Sequence, residues 1–244
     1  MWEQSCQLTL ALTLLHRWNL LCTIILSRGR NILKTGSVML KDIGYKVLKL
    51  ITAPTVKGLW IDSIQGLENI PRNTGAILIA NHASYLDFII LGTVVENLVG
   101  RPLYFWANSK VCNHPIFKYY AKNFKSIEID YDKPSNAFWK ESIEKLRNNQ
   151  LICIFPEGTR TRTGRLNEFN SGYLRLANAT YTKIIPVVIH GTFKILPPHR
   201  HTPKIKKSRV VINTPYTPNF PLRKAEVEAI NSSIHEKYYK SVLR

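Results

Sequence analysis

Ala76-Ile77-Leu78-Ile79-Ala80-Asn81-His82-Ala83-Ser84-Tyr85-Leu86-Asp87 is the stretch on which the reading of this chain turns. Its first five residues form an unbroken apolar run, the pattern of a strand covered on both faces. Polar residues follow at once, so the chain is expected to leave a sheet at Asn81 and enter a helix starting near Ser84. His82 and Asp87 both stand at that exit. A histidine there can take a proton from an alcohol, and an aspartate can orient its ring and stabilise the imidazolium that forms. No serine or cysteine nucleophile is needed if the attacking group is a substrate's own hydroxyl.

The same alternation continues outward. Strands are expected near 76–80, 103–107, 126–130, 151–155, 184–190 and 208–213. Between them helices are expected near Ser84, after Pro115, over 136–148 with Ser135 as N-cap, and over 172–180. A last amphipathic helix over 223–242 carries Val227, Ile230, Ile234 and Tyr238. This is the pattern of an α/β fold with a central, mostly parallel sheet flanked by helices. A second polar cluster, Pro156-Glu157-Gly158-Thr159-Arg160, follows the run Leu151-Ile152-Cys153-Ile154-Phe155. Ligands of open α/β sheets bind outside the carboxyl ends of strands, so the two clusters are expected to line one site. Gly158 allows a tight turn, and Arg160 brings a forked cation suited to phosphate. Arg162 and Arg165 add positive charge to the loop that follows.

At 244 residues the chain can bury one sizeable core beside a terminal extension. Its 34 Lys and Arg against 16 Asp and Glu give a formal charge of +18, which directs it to polyanions, either nucleic acid or an anionic membrane face. The basic residues are spread along the chain and form no nucleic-acid-binding motif, so a basic nucleic-acid-binding module is the remote alternative. Cys6, Cys22, Cys112 and Cys153 have no paired spacing, and His190, His199 and His201 lack ligand spacing, so no metal is expected.

The N-terminal part points to the membrane. Leu8 to Leu26 is long and apolar enough to suggest a span, but His16, Arg17 and Asn19 fall at its middle. A central Arg costs about 2.5–3.5 kcal/mol on insertion scales. With Glu3 ahead of it, the run is also a poor signal peptide. Further on, Leu40, Ile43, Val47 and Leu50 recur at helical spacing, with Lys34, Lys41 and Lys49 off that stripe. Charge and amphipathicity favour a membrane-interfacial helical hairpin over two helices packed on the core. Residues 1–57 are thus expected to be membrane-associating helices and 58–244 the α/β domain, with crossing and interfacial modes both open.

These blocks carry a resemblance. Asn81-His82 through Asp87 is similar to the His-x4-Asp motif of the glycerolipid acyltransferase family, whose best-known members are 1-acylglycerol-3-phosphate acyltransferases. Phe155 to Arg160 resembles its acceptor-binding block, Ile185-Pro186-Val187-Val188 its late apolar block, and Gly66-Leu67-Glu68-Asn69-Ile70-Pro71 and Thr161-Arg162-Thr163-Gly164-Arg165 also read like family members. The resemblance implies an acyltransferase. His82 would deprotonate a lysophospholipid hydroxyl, 1-acylglycerol-3-phosphate first among candidates, and Asp87 would hold the imidazole. Glu157, Gly158, Thr159 and Arg160 would position the acceptor. The donor would be an acyl thioester, of CoA or of acyl-carrier protein. It implies no cofactor, no metal and no acyl-enzyme, and it implies a membrane-associated protein whose active site faces the cytoplasm.

Three positions depart from the family pattern. Asn108 and Ser171 stand where Lys is common, and Tyr131 stands where Arg usually follows Ile-Asp. Each change removes a cation from the neighbourhood of an anionic acceptor. Lys110, Lys125, Arg160 or Arg162 are the candidates to compensate. Otherwise the acceptor is another lysolipid, a phosphodiester or a lyso-aminolipid.

Overall fold

The structure, a computed structural model, describes residues 54–113, 125–130, 135–200 and 202–239. The helices expected over 1–57 lie outside the described residues apart from 54–57, which belong to a helix over 54–60. The helix expected after Pro115 and the departure at Tyr131 also lie outside them.

Among the described residues seven strands form one sheet: β1 (Ile61–Gln65), β2 (Ala76–Ala80), β3 (Leu103–Asn108), β4 (Ser126–Ile129), β5 (Leu151–Ile154), β6 (Ile184–His190) and β7 (Ser208–Ile212). Their spatial order is β1-β7-β6-β2-β5-β3-β4. Every pairing is parallel except β6 with β7. Besides the helix over 54–60 and a 3-10 turn over Leu67–Asn69, the helices among the described residues are α1 (Leu86–Val94), α2 (Ser109–Asn113), α3 (Ala137–Arg147), α4 (Gly172–Thr180), α5 (Thr192–Ile195) and α6 (Lys224–Ile234). Single π-helical turns extend α1 over Val95–Val99 and α6 over His235–Tyr239.

The two-residue period of the strands divides the core. Leu78, Leu151 and Cys153 face a layer with Leu86, Ile90, Leu91 and Val94 of α1. Ile77, Ile79, Ile152 and Ile154 face the opposite layer with Leu146 of α3, Leu174 and Leu176 of α4 and Ile234 of α6. Each fully buried Ile or Leu contributes about 1.5–3 kcal/mol, so the central strands anchor both layers. Crossovers in such sheets are right-handed, and two that run in opposite directions must therefore use opposite faces. The connection from β2 passes over β5 to β3, and the one from β5 passes back over β2 to β6. The β2–β5 border is thus the point where the connections part, and a crevice opens at the carboxyl ends of these two strands.

Two side chains secure the β2–β6 border, on the other side of β2, where the ladder stops. Asn81 extends the pairing of β2 with β6 by one step: its Nδ2 donates to the Ile189 carbonyl at 3.0 Å, and its Oδ1 accepts the Ile189 N–H at 2.8 Å. The fully buried Tyr239 hydroxyl donates to the Ile79 carbonyl and accepts the Val187 N–H, joining the same two strands.

The strand β1 was absent from the sequence expectation. Ile61-Asp62-Ser63-Ile64-Gln65 is an edge strand paired with β7 alone, so its run is mostly polar and carries little strand signal. The short helices α2 and α5 were also missed. The helix expected near Ser84 begins at Leu86, because Ser84 is used in the turn before it. At α3 the N-cap is Asn136 rather than Ser135, whose Oγ accepts the Ala137 N–H at 3.4 Å.

Candidate active site

The crevice places the two polar clusters side by side because β2 and β5 are neighbours in register, Ile79 beside Ile154. Beyond Ala80 the chain turns sharply, and Asp87 in the first turn of α1 organises that turn. Its Oδ2 accepts the N–H groups of Ala83 and Ser84, each at 2.7 Å, and lies 2.9 Å from His82 Nδ1. An oxygen that accepts two backbone donors leaves Nδ1 the donor's role, so the neutral imidazole carries its proton there and its Nε2 keeps the lone pair. Asp87 is fully buried, with Oδ1 unpartnered among the described residues, while His82 is 18% exposed. The pair joins a sealed carboxylate to a ring that reaches solvent.

The second cluster holds His82 from three sides. The Phe155 ring stacks on the imidazole with centroids 4.1 Å apart and 19° between planes. The Thr161 N–H donates to the His82 carbonyl at 2.9 Å. Glu157 Oε1 accepts the His82 N–H at 2.6 Å, and its Oε2 accepts the Asn167 N–H at 2.9 Å. Both Glu157 oxygens are therefore engaged by backbone donors, and the residue is only 6% exposed. Burial pushes its carboxyl up to about 7 despite the two N–H groups, which favour the charged form.

Gly158 and Thr159 are exposed, and Arg160 is half-buried. Gly158 adopts φ +69° and its N–H donates to the Phe155 carbonyl at 3.0 Å, closing a tight turn. The Arg160 guanidinium lies over the Tyr85 ring at 3.3 Å from its centroid, with Nη1 buried and unpartnered among the described residues. A stacked guanidinium with an unused donor is prepared for an anionic ligand.

The hydroxyl and the thiol that lie near Asp87, those of Ser84 and Cys153, are poor nucleophiles. Ser84 Oγ donates to the Leu196 carbonyl at 2.7 Å and accepts the Leu86 N–H at 3.1 Å. Burial, with Asp87 nearby, pushes the Cys153 thiol far above its usual range. Asn81, Tyr85, Phe155, Thr161 and Asn167 shape the site but carry no chemical signature of their own. The Thr161-x-Thr163-Gly164 pattern was the one local clue: Thr161 Oγ1 accepts the N–H groups of Thr163 and Gly164 at 3.3 and 3.1 Å, closing the loop behind His82.

Comparison with known proteins places the chain among acyltransferases. A 1-acyl-sn-glycerol-3-phosphate acyltransferase of Cocos nucifera is 30% identical over 194 residues, covering 77% of this chain and 58% of that protein. The chloroplastic 1-acyl-sn-glycerol-3-phosphate acyltransferase LPAT1 of Arabidopsis thaliana is 28% identical over 154 residues, 62% of this chain and 42% of that one. The chain thus spans about half the length of the curated relatives it matches. The crystal structure of the 1-acyl-sn-glycerophosphate (LPA) acyltransferase PlsC from Thermotoga maritima shares the fold, with a TM-score of 0.66 at 24% identity over 91% of this chain and 87% of that one. Residues 63–190, which take in β2, β5 and both polar clusters, match the acyltransferase family model, and the chain belongs to the acyltransferase family.

Proposed function

We propose that the chain transfers a fatty acyl group from a thioester donor, acyl-CoA or acyl-carrier protein, to the free hydroxyl of 1-acylglycerol-3-phosphate, giving phosphatidic acid. The observation that carries this reading is the His82 Nδ1–Asp87 Oδ2 contact of 2.9 Å, which leaves Nε2 as the base. Nε2 takes the proton of the acceptor hydroxyl as its oxygen attacks the thioester carbonyl. The tetrahedral intermediate collapses with loss of the thiolate, and the imidazolium returns its proton to the sulfur. Asp87 stabilises the imidazolium in between. The engaged Ser84 hydroxyl and the buried Cys153 thiol argue for direct transfer without an acyl-enzyme. Arg160 binds the acceptor phosphate, Gly158 and Thr159 present it, and Glu157 acts indirectly by holding His82. The names of the relatives add support for this acceptor.

Both substrate and product are amphiphiles, so the enzyme works at a membrane, with its active site on the cytoplasmic side. Among the described residues no helix is long and apolar enough to cross one. The proposed anchor is the basic N-terminal part, with anionic lipids as its contact.

A second reading is favoured by one observation. At the two positions where the family commonly has Lys, Asn108 Oδ1 accepts the Lys110 N–H at 2.8 Å and Ser171 is the N-cap of α4. On this reading the acceptor is a lysolipid without a phosphate monoester. Acyl transfer from labelled acyl-CoA to lysophosphatidic acid, lysophosphatidylglycerol and lysophosphatidylethanolamine, with His82→Ala alongside, tests both. Activity confined to lysophosphatidic acid and lost in the variant is the expected result, and full activity in the variant would sink the mechanism.

A further inference from the structure

His82 and Glu157 open onto a cleft of about 420 Å³ that extends along the carboxyl edge of the sheet towards β7 and β1. Its wall carries Arg165, Lys194, Lys207 and Arg209 against the carboxylates of Asp62 and Glu157, and both Glu157 oxygens already accept backbone N–H groups. Arg165, Lys194 and Arg209 are exposed and form no ion pair with any other described residue. Lys207 donates to the Gly58 carbonyl, and its ammonium has further donors to offer. On the same wall the fully buried Thr192 Oγ1 has no partner among the described residues. A concave surface with this excess of cations attracts an anion with several charges.

Position separates this cleft from the acceptor's cation. Neither Arg160 nor Tyr85 lines it. Arg209 pairs with His190 across β6 and β7, and β7 lies two strands from β2. At about 4.8 Å per strand, the cleft reaches roughly 10 Å to the side of the strand that delivers His82. The phosphate of a glycerol phosphate acceptor is only two carbons from the attacking hydroxyl, so it must sit close to the base. The phosphates of a coenzyme A thioester are a whole pantetheine arm away from the reacting carbonyl.

We infer that this cleft holds the 3′-phospho-ADP end of an acyl-CoA, with Arg165, Lys194, Lys207 and Arg209 contacting its phosphates and the pantetheine arm leading the thioester to His82. The inference rests on the acyl-transfer reading above and adds to it a choice of donor. Two cationic sectors then flank the base, Arg160 for the acceptor and the β7 side for the donor.

The test is equilibrium binding of free CoA to the purified full chain, wild type against Lys194→Ala/Arg209→Ala, with acyl-CoA and acceptor KM measured in parallel. Loss of two phosphate-facing cations is expected to raise the CoA Kd and the acyl-CoA KM about tenfold or more, with the effect shrinking at high salt and the acceptor KM unmoved. Arg165→Ala, on a separate loop, is expected to move the same constants in the same direction. Lys140→Ala, an exposed cation on α3 outside the cleft, serves as the control for charge loss alone. An unchanged CoA Kd in the double variant, or no CoA binding by the wild type, overturns the inference. A rise in the acceptor KM alone overturns it too, and assigns the cleft to the acceptor's phosphate. CoA binding that depends on Lys194 and Arg209 in a protein that acylates no lysolipid sustains the donor cleft and sinks the acceptor reading instead.

Discussion

Glu157 Oε1 and the backbone N–H of His82 meet at 2.6 Å, so the carboxylate of one polar cluster is bonded to the backbone of the other. The contact crosses the β2–β5 border and fixes the base from behind, while Asp87 fixes its ring from the side. A displacement of the second cluster therefore moves His82 directly. In a reaction that depends on near-contact geometry, such a shift of about 1 Å can cost two orders of magnitude in rate.

This carboxylate should also appear in the pH dependence of stability. Burial raises its folded pKa to about 7 from the ordinary value of 4.5. The native state thus binds a proton before the unfolded chain does, and stability rises as pH falls through 7 towards 4.5, opposite to the usual acidic residue. Between pH 5 and 8 the wild type should lose up to about 3 kcal/mol more than Glu157→Gln, as read from urea melts at both pH values. Parallel losses would mean that Glu157 titrates as an ordinary surface acid.

Asp87 should separate into a catalytic and a structural contribution. Asp87→Asn keeps an oxygen for the Ala83 and Ser84 N–H groups but removes the charge opposite the imidazolium. Its kcat should fall about 100- to 10,000-fold with a modest loss of stability. Asp87→Ala leaves both backbone donors buried and unpaired, and should cost about 2–5 kcal/mol of folding free energy on top of the lost activity. Equal thermal stability of the two variants would deny the carboxylate its part in forming the turn.

The Arg160–Tyr85 stack makes a claim about the acceptor. Arg160→Lys keeps the charge but gives up the planar contact and the forked donors, so the acceptor KM should rise about tenfold while the donor KM holds. Tyr85→Leu should shift the same constant by less, in keeping with a cation–π contact of about 0.5–2 kcal/mol. A double-mutant cycle on acceptor KM measures the coupling. Strictly additive effects would mean that the ring does not position the guanidinium.

The legibility of this site followed its chemistry. His82, Asp87 and the block 156–160 stood out because two polar clusters end two apolar runs of one α/β pattern and together resemble the motifs of one family. The insertion of β5 between β2 and β3 was not readable, since no local pattern encodes which distant strand becomes a neighbour. The backbone engagement of Glu157 followed from that insertion. Its side chain was expected to position the acceptor, and both of its oxygens accept backbone N–H groups set in place by the fold. The edge strand β1 escaped for the reverse reason: half-exposed positions do not need the apolar residues that announce a strand.

Asn81 tests whether sheet and site are joined as tightly as the distances indicate. Its amide both donates to and accepts from Ile189, a pairing that requires one donor and one acceptor on the same planar group. Asp at this position offers acceptors only, so Asn81→Asp sets a carboxylate against the Ile189 carbonyl. Asn81→Ala leaves both backbone groups unpaired in a region where Ile189 is almost completely buried. Each variant should cost about 2–4 kcal/mol of stability, Asp no less than Ala. Because His82 is the next residue, kcat should fall as well, even under conditions where the variant is fully folded. Melts and steady-state rates on the same samples decide it. A variant that loses stability but keeps its rate per folded molecule would show that Glu157, Phe155 and Thr161 hold His82 without help from the β2–β6 bridge.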